Sequence, residues 1–355
     1  MTDILFLAAT RGFDAARRTA LPHTGDSALR LHGHRFEARA RVRVTGRNPE
    51  TVPDDPTVLR RALDVAIASW DLGYLNDAVA DPTDARLVQA LSVSLGALSP
   101  DRITLSSTPE RGVGQGDASG HGFVWRRYRF ESAHYLPNVP AGHKCGRMHG
   151  HSFAVELRAQ AAPGDEDTTA RDLDAAWAPL FAEFDHACLN DLPGLTNPTS
   201  ELIAVHVWDR LAARLPSLQR VTVHETASCG AHYDGAGHRI WKDFSLDSAV
   251  RRERVPVDDP RRRIHGHTYA VRLHASAPLD TVLGWAIDYG DIKAQFSPLF
   301  AQLDHQPLYE LPGVDDTDPV SLVRWIRDRA RSQCPWLSRI DLRDADGCGA
   351  TVEAS

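Results

Sequence analysis

Hydrophobic and polar residues alternate along three stretches in the middle of the chain. Residues 126–132 and 152–160 carry an apolar side chain at nearly every second position, and residues 220–224 do so over a shorter length. Successive side chains of a strand point to opposite faces of a sheet, so a period of two predicts strands with one buried face. We therefore predict an antiparallel sheet here.

Between the second and third of these strands, the apolar side chains recur every three or four residues, as on an amphipathic helix. Five residues carry this pattern: Leu173, Trp177, Leu180, Phe181 and Phe184. We predict Thr169 as the N-cap of this helix. A second helix is predicted over residues 202–211, with Thr199-Ser200-Glu201 at its start.

A pattern of two histidines around a glycine occurs three times. The copies begin at His32, His149 and His265, so successive copies lie 117 and 116 residues apart. Two other patterns recur in the same order: 70–77, 184–191 and 303–308 for one, and 102–105, 220–223 and 339–342 for the other. Three landmarks in one order indicate a triplicated unit.

We predict three tandem units, residues 1–121, 122–237 and 238–355, with boundaries in glycine-rich stretches at 112–117 and 234–237. Each unit is predicted to run strand, strand, helix, helix, strand, strand. The predicted class is therefore α+β, with a four-stranded antiparallel sheet and two helices on one of its faces in each unit.

Composition and charge narrow the class of protein. The chain has 355 residues, of which 42% are hydrophobic and 25% charged, as in ordinary globular proteins. Its net charge of −7 gives no general attraction to nucleic acid or to an anionic membrane, so we expect neither as a partner. The five cysteines lack a disulfide-framework spacing, and no run of about 18 apolar residues occurs, so we expect a cytoplasmic protein.

The middle copy of the histidine pattern carries the residues of a metal site. Residues i and i+2 of a strand point to the same face, so His149 and His151 would present two imidazoles side by side. His134, on the predicted paired strand, is the candidate third ligand. Three protein ligands and one open position are typical of catalytic zinc, so we expect Zn²⁺ here.

A thiol lies beside this metal site. Cys145 precedes His149 by four residues and is flanked by Lys144 and Arg147. Neighbouring cations lower the pKa of a thiol, so we expect them to favour the thiolate of Cys145.

Residues 142–151, Gly-His-Lys-Cys-Gly-Arg-Met-His-Gly-His, resemble the 6-pyruvoyl-tetrahydropterin synthase and 6-carboxytetrahydropterin synthase family, with the spacing of the bacterial 6-carboxytetrahydropterin synthases. The resemblance covers residues 123–235, and it is far weaker in the flanking units. It implies a tunnelling (T-) fold, in which four-stranded sheets from several subunits close into a barrel with helices outside. Three fused units would then close one pseudo-trimeric, 12-stranded barrel, and two chains would form a pseudo-hexamer.

The resemblance also implies roles for individual residues. Cys145 would be the base that transfers protons. Asp185 and His186 would form a carboxylate–imidazole pair that relays a proton. Glu225 would hold the pterin, because a carboxylate can accept two hydrogen bonds from the edge of the ring.

Other candidate contacts have a structural alternative. Glu201 and Thr199 match a second acidic motif near the pterin ring, but helix capping explains a Thr-Ser-Glu start equally well. Lys144, Arg147 and His143 are candidates for binding the triphosphate of the substrate, and solvated surface cations are the equal alternative.

We expect only the middle unit to keep the complete set. The residues aligned with it in the first and third units are Arg17 and Ser248 for His134, Ala28 and Arg261 for Cys145, Ser107 and Asp344 for Glu225, and Ala85 and Leu322 for Glu201. A Gly-Trp-x-x-Asp segment, which the family carries before its first helix, is absent from residues 163–172 but present at 284–289.

In the resembling enzymes, the thiol of one subunit works with the Asp–His pair of its neighbour. The first unit has Asp71-Leu72 at this position, whereas the third unit retains Asp304 and His305. We therefore expect one composite site per chain. It would combine zinc, Cys145 and Glu225 with either Asp304-His305 or, across a different interface, Asp185-His186.

The implied activity is that of a zinc-dependent lyase. It would convert 7,8-dihydroneopterin triphosphate to 6-carboxytetrahydropterin with loss of triphosphate and acetaldehyde, a step towards 7-deazapurines such as queuosine. Two alternatives stay open: a relative that forms 6-pyruvoyltetrahydropterin or cleaves sepiapterin, and a non-catalytic pterin or purine binder. Retention of Cys145 favours an enzyme, since a binder needs no thiol base. We expect a pterin triphosphate substrate and a homodimer.

Overall fold

The computed structural model describes residues 3–19, 29–46, 55–116 and 121–354. Within them, each third of the chain contributes four long strands to one sheet. The strands are β1 Ile4–Arg17, β2 His32–Arg43, β3 Arg102–Thr108, β4 Arg111–Gln115, β5 Gly122–His134, β6 His149–Ala161, β7 Leu218–Thr226, β8 Cys229–Tyr233, β9 His238–Val250, β10 His265–Ala275, β11 Leu337–Asp344 and β12 Cys348–Glu353. The strands predicted at 126–132, 152–160 and 220–224 are confirmed within β5, β6 and β7.

The twelve strands form a closed antiparallel barrel. Each unit contributes its strands in the order first, second, third, fourth, and the fourth strand pairs with the first strand of the next unit. Strand β12 pairs with β1, from Ile4 opposite Glu353 to Ala9 opposite Cys348, and this pairing closes the ring. Closure leaves no long strand with an unpaired edge among the described residues. The predicted pseudo-trimeric barrel of three tandem units is confirmed.

The first two strands of the three units share one register. Arg17 pairs with His32, His134 with His149, and Val250 with His265. The repeated histidine pattern therefore begins the second strand of every unit. The exact unit boundaries stay a prediction, and residues 117–120, beside the first of them, lie outside the described part.

Two helices per unit cover the outside of the barrel. They are α1 Pro56–Ile67, α2 Asp84–Ser94, α3 Glu166–Phe184, α4 Ser200–Leu211, α5 Tyr289–Phe300 and α6 Pro319–Gln333. The predicted start of α4 is confirmed, because the Thr199 side chain accepts a hydrogen bond from Leu202 N at 3.2 Å. The predicted cap of α3 is wrong: that helix begins one turn earlier, after Asp165, and Thr169 lies inside it.

The hydrophobic core lies between the sheet and the helices. The second strands each bury one aromatic ring on the helix side of the sheet, Phe36, Phe153 and Tyr269. Helix side chains such as Trp177 and Phe296 pack into the same core. Successive side chains of a strand point to opposite faces, so the polar residues that alternate with these apolar ones face the inside of the barrel. No helix in the described ranges is long and apolar enough to cross a membrane.

Candidate active site

Three histidines of the second unit converge where β5 ends and β6 begins. One nitrogen from each of His134, His149 and His151 lies within 4.8 Å of the other two. His134 and His149 are directly paired across the strands, and His151 follows two residues later on the same face. The sequence-predicted ligands are therefore brought together, and the cluster can hold a metal ion.

In two of these rings, those of His134 and His149, Nδ1 forms a hydrogen bond and Nε2 stays available to a metal ion. His134 Nδ1 donates to Pro198 O at 3.0 Å, and His149 Nδ1 donates to Arg147 O at 2.8 Å. A neutral imidazole that donates through Nδ1 keeps a lone pair on Nε2. Burial lowers the pKa of His134 and of His151, which favours the neutral form that a metal needs. The Nε2 atoms of both residues are buried without a hydrogen-bond partner among the described residues. These orphaned nitrogens fit a metal ion.

A carboxylate stands beside the histidine cluster. Glu225 Oε1 lies 3.6 Å from His151 Nε2, and Glu225 Oε2 accepts a hydrogen bond from the Ser200 hydroxyl at 2.5 Å. Strand β7 supplies Glu225 and helix α4 supplies Ser200. The end of β7 and the start of α4 thus place the carboxylate of Glu225, a hydrogen-bond acceptor, between the histidine cluster and the helix layer.

A segment of the third unit covers this site. Asn138 Nδ2 donates to Val282 O at 2.7 Å, and the Thr199 hydroxyl donates to Gly284 O at 2.6 Å. The carboxylate of Glu201 accepts a hydrogen bond from Ala286 N at 3.0 Å. The described site is therefore built by two adjacent units, and the third unit contributes residues 282–288.

Glu201 and Thr199 hold this segment through buried contacts. Glu201 is 2% exposed and Thr199 is 4% exposed. Burial raises the pKa of Glu201 to about 7, against the lowering effect of its hydrogen bond from Ala286. Thr199 also caps α4, so the structural role that the sequence left open is present for both residues.

The prediction that flanking cations favour the thiolate of Cys145 is wrong. Burial raises the pKa of this half-buried thiol, and Glu225 and Asp288 raise it further. Lys144 acts in the opposite direction but is outweighed. The thiol is therefore mostly protonated at neutral pH in the metal-free protein. Sequence neighbours alone could not predict this, because the opposing carboxylates come from β7 and from the third unit.

Lys144 and Arg147 are exposed at the rim of the site. Neither side chain makes a hydrogen bond or ion pair with any described residue. Their neighbour His143 is engaged instead: its Nε2 lies 3.6 Å from Asp288, and its ring centroid lies 5.8 Å from that of Trp285.

The two Asp–His pairs have the same geometry and are both exposed. Asp185 Oδ2 lies 2.8 Å from His186 Nδ1, and Asp304 Oδ2 lies 2.9 Å from His305 Nδ1. The side chains of His186 and His305 are 77% and 78% exposed. Each aspartate accepts a hydrogen bond from a backbone N–H of its own unit. Among the described residues, no hydrogen bond or ion pair joins either pair to Cys145.

The first unit carries a fixed cation in place of a metal ligand. Arg17 stands opposite His32 as His134 stands opposite His149, in agreement with the alignment. Its buried guanidinium donates to Asp84 Oδ1 at 2.7 Å. The first unit therefore cannot build the same metal site.

The third unit also lacks the site, but two alignments are corrected. Val250, not Ser248, stands opposite His265 and so corresponds to His134. Ser248 has a different role: its hydroxyl donates to a backbone carbonyl at 2.6 Å. The N-cap of α6 is Asp318, which places Val320 rather than Leu322 opposite Glu201.

The turns that carry Cys145 and Arg261 match, since 3₁₀ turns run over Lys144–Gly146 and Pro260–Arg262. The first-unit residue aligned with them, Ala28, lies outside the described ranges.

Sequence reasoning missed three residues around the site: Ser200, Trp285 and Asp288. A signal for the last two was present, because the Gly-Trp-x-x-Asp segment is kept only in the third unit. The third unit has no metal site of its own, so the presence of this segment there is explained if the segment serves the site of the second unit.

Comparison with known proteins gives one family. The family model described as 6-pyruvoyl tetrahydropterin synthase matches residues 123–236 and again residues 235–355. A 6-carboxy-5,6,7,8-tetrahydropterin synthase of Synechocystis sp. is 37% identical over 119 residues, which are 31% of this chain and 91% of that protein. A protein of the same name from Bacillus subtilis is 27% identical over 94 residues, 25% of this chain and 64% of that protein.

Among solved structures, the 6-pyruvoyl tetrahydropterin synthase of Caenorhabditis elegans matches with 20% identity and a TM-score of 0.27. The match covers 32% of this chain and 95% of that one.

Proposed function

The chain belongs to the 6-pyruvoyl tetrahydropterin synthase family, and on this premise we propose that its second unit is a zinc-dependent lyase. The substrates are 7,8-dihydroneopterin triphosphate and one molecule of water, and the products are 6-carboxytetrahydropterin, triphosphate and acetaldehyde. The relatives named 6-carboxy-5,6,7,8-tetrahydropterin synthase support this choice within the family. The observation that carries the proposal is the cluster of three imidazoles with one nitrogen of each within 4.8 Å of the other two. Among the described residues, the buried Nε2 atoms of His134 and His151 have no hydrogen-bond partner, and Glu225 lies beside them.

Zinc is the metal that the donor set favours. Three neutral imidazoles with an open fourth position are typical of catalytic zinc sites. When bound by His134, His149 and His151, Zn²⁺ supplies Lewis-acid polarisation of the substrate side-chain oxygens and a positive charge near the thiol.

The chain's own residues bind and orient the pterin. Glu225 accepts hydrogen bonds from the amino and ring N–H groups of the pterin edge, and Ser200 already holds this carboxylate in place. The segment 282–288 excludes water from the same side of the site. Lys144 and Arg147 have no partner among the described residues and are available to the triphosphate.

Proton transfer at the substrate side chain falls to Cys145. Its raised pKa makes it a proton donor in the metal-free protein, and its deprotonated form is the base that removes a proton from carbon. Either exposed Asp–His pair supplies the relay from a second copy of the chain, because neither pair forms a hydrogen bond or ion pair with Cys145 among the described residues of one chain. The assembly in this proposal is a homodimer.

Turnover tests the lyase. Zinc-loaded protein incubated with 7,8-dihydroneopterin triphosphate is expected to release acetaldehyde and triphosphate in equal amounts. A product that retains the three-carbon side chain as 6-pyruvoyltetrahydropterin, or acetaldehyde only from sepiapterin, would assign the activity to another branch of the family. Tight pterin binding without turnover would identify a binder instead.

Metal content tests the histidine cluster independently of activity. His149→Ala is expected to reduce bound zinc, measured by elemental analysis after dialysis, from about one ion per chain to a small fraction of that. His265→Ala is the matched control, because it removes the corresponding imidazole of the third unit. Equal loss of zinc in both variants, or in neither, would contradict the assignment.

A further inference from the structure

A cavity of about 620 Å³ lies inside the barrel, apart from the metal site. All three units line it, through inward-facing residues of strands β2, β3, β5 to β11. Its size is typical of a site for a small molecule.

The lining is strongly basic although the chain as a whole is acidic. Eleven arginines line the cavity, against three carboxylates. Four further carboxylates, Asp14, Asp101, Asp243 and Glu353, form ion pairs with the lining arginines. Eleven guanidinium groups against seven carboxylates leave an excess of four positive charges, in a chain whose net charge is −7.

The excess is concentrated at arginines without a carboxylate partner. The side chains of Arg39 on β2 and Arg343 on β11 make no hydrogen bond or ion pair with any described residue. Burial, together with the charge of Arg343, lowers the pKa of Arg39 to about 9. Burial and the charges of Arg41 and Arg220 similarly lower the pKa of Arg102 to about 10. The fold thus holds like charges together at a cost in stability.

We propose that the lumen of the barrel binds a small inorganic polyphosphate. The planar fork of a guanidinium matches two phosphate oxygens, and several such forks facing one cavity match a short chain of phosphates. The positive field is enclosed by an acidic exterior, which repels a long polyanion such as nucleic acid but admits a compact one. The anion binds between Arg39 and Arg343 and neutralises their mutual repulsion.

Tripolyphosphate tests this site in the full chain. Titration calorimetry at low ionic strength is expected to show saturable binding that also raises the melting temperature. Arg39→Gln and Arg343→Gln should each weaken binding by about tenfold or more, since each removes a charge-assisted contact. Arg86→Gln is the matched control: this arginine lies on the outer helix α2, with its side chain 54% exposed, and its loss should leave binding unchanged.

Melting temperatures distinguish a specific loss of binding from misfolding of the variant. Without tripolyphosphate, Arg39→Gln should melt no lower than the wild type, because it removes an unpaired buried charge. Its melting temperature should then no longer rise when the anion is added.

Three results would overturn the proposal. One is the absence of saturable tripolyphosphate binding. Another is equal stabilisation by citrate or chloride at matched ionic strength, which would show a general screening effect. The third is loss of binding in the double variant Lys144→Gln, Arg147→Gln with binding retained in Arg39→Gln, which would place the anion at the substrate site.

Discussion

A single carboxylic acid links the two units that build the candidate active site. Glu201 is buried at the start of α4, and its carboxylate accepts the backbone N–H of Ala286 from the third unit. Desolvation favours the protonated acid, and raises its pKa from 4.5 to about 7. The protonation state of one side chain is therefore coupled to the folding of the interface.

Glu201→Gln is expected to change how stability depends on pH. A folded-state pKa above the unfolded value contributes stability that is complete below pH 4.5 and is lost as pH rises through about 7. The neutral amide keeps the hydrogen bond without this loss. Between pH 4.5 and pH 7.5, the variant should gain about 3 kcal/mol of unfolding free energy relative to the wild type.

Urea titrations at several pH values measure this difference. Glu110→Gln, at an exposed turn, is the control and should follow the wild type. If the free energy of unfolding of Glu201→Gln depends on pH as that of the wild type does, the burial of this carboxylate does not govern its titration.

At the scale of elements, a short loop before α5 completes a site that belongs to the preceding unit. Residues 282–288 contact Asn138, Thr199 and Glu201. Gly284 has φ = +73°, and a Cβ atom there would lie 2.6 Å from Asn197 Nδ2 and 2.6 Å from a methyl group of Leu202. Only glycine allows the loop to approach so closely.

Gly284→Ala should therefore displace the loop and impair activity. A methyl group at this position must push the segment away from α4, and a shift of this kind commonly costs roughly tenfold or more in kcat/KM. Gly164→Ala is the matched control, because Gly164 also has a positive φ, +94°, but nothing lies within 4 Å of its Cβ position. Steady-state kinetics and melting curves of both variants separate loop displacement from backbone strain. Equal activity loss in the two would refute a role for the loop.

Features determined by nearby sequence were predictable, and those determined by distant packing were not. Strand alternation and the spacing of His149 and His151 gave the ligand pair, and the register of β5 against β6 brought His134 to it. The pKa of Cys145 was mispredicted, since it depends on carboxylates of other elements. Ser248 was misaligned although the repeat itself points to Val250, which follows His134 by 116 residues as His265 follows His149; the strand pairing shows the error.

At the scale of the whole molecule, the three-unit barrel is complete within one chain. Its closure was predictable from the repeat, because three four-stranded sheets leave edges that must be paired. Both Asp–His pairs nevertheless remain on the surface, with imidazoles more than three-quarters exposed. In the proposed homodimer, a second copy of the chain would bring such a pair to Cys145.

Complementation between inactive chains tests this dimer. Cys145→Ser co-expressed with His305→Ala, or with His186→Ala, should recover activity with the histidine that serves the partner's site. Random pairing gives half heterodimers, each with one intact site of two, so the recovered activity should be roughly a quarter of the wild-type value. The homodimers of each variant are the controls. If the mixture is as inactive as its components while a single histidine variant is inactive, the histidine works within its own chain.

Because the three units belong to one continuous chain, the sequence of each can change independently of the other two. In a ring of identical subunits, any substitution is imposed on every site at once, so none can be lost without losing all. Here each copy has its own codons, and the copies have diverged: a guanidinium at Arg17 and an isopropyl group at Val250 stand where the middle copy keeps His134. Selection can then refine a loop of one copy solely for the benefit of its neighbour, which a symmetric ring does not permit.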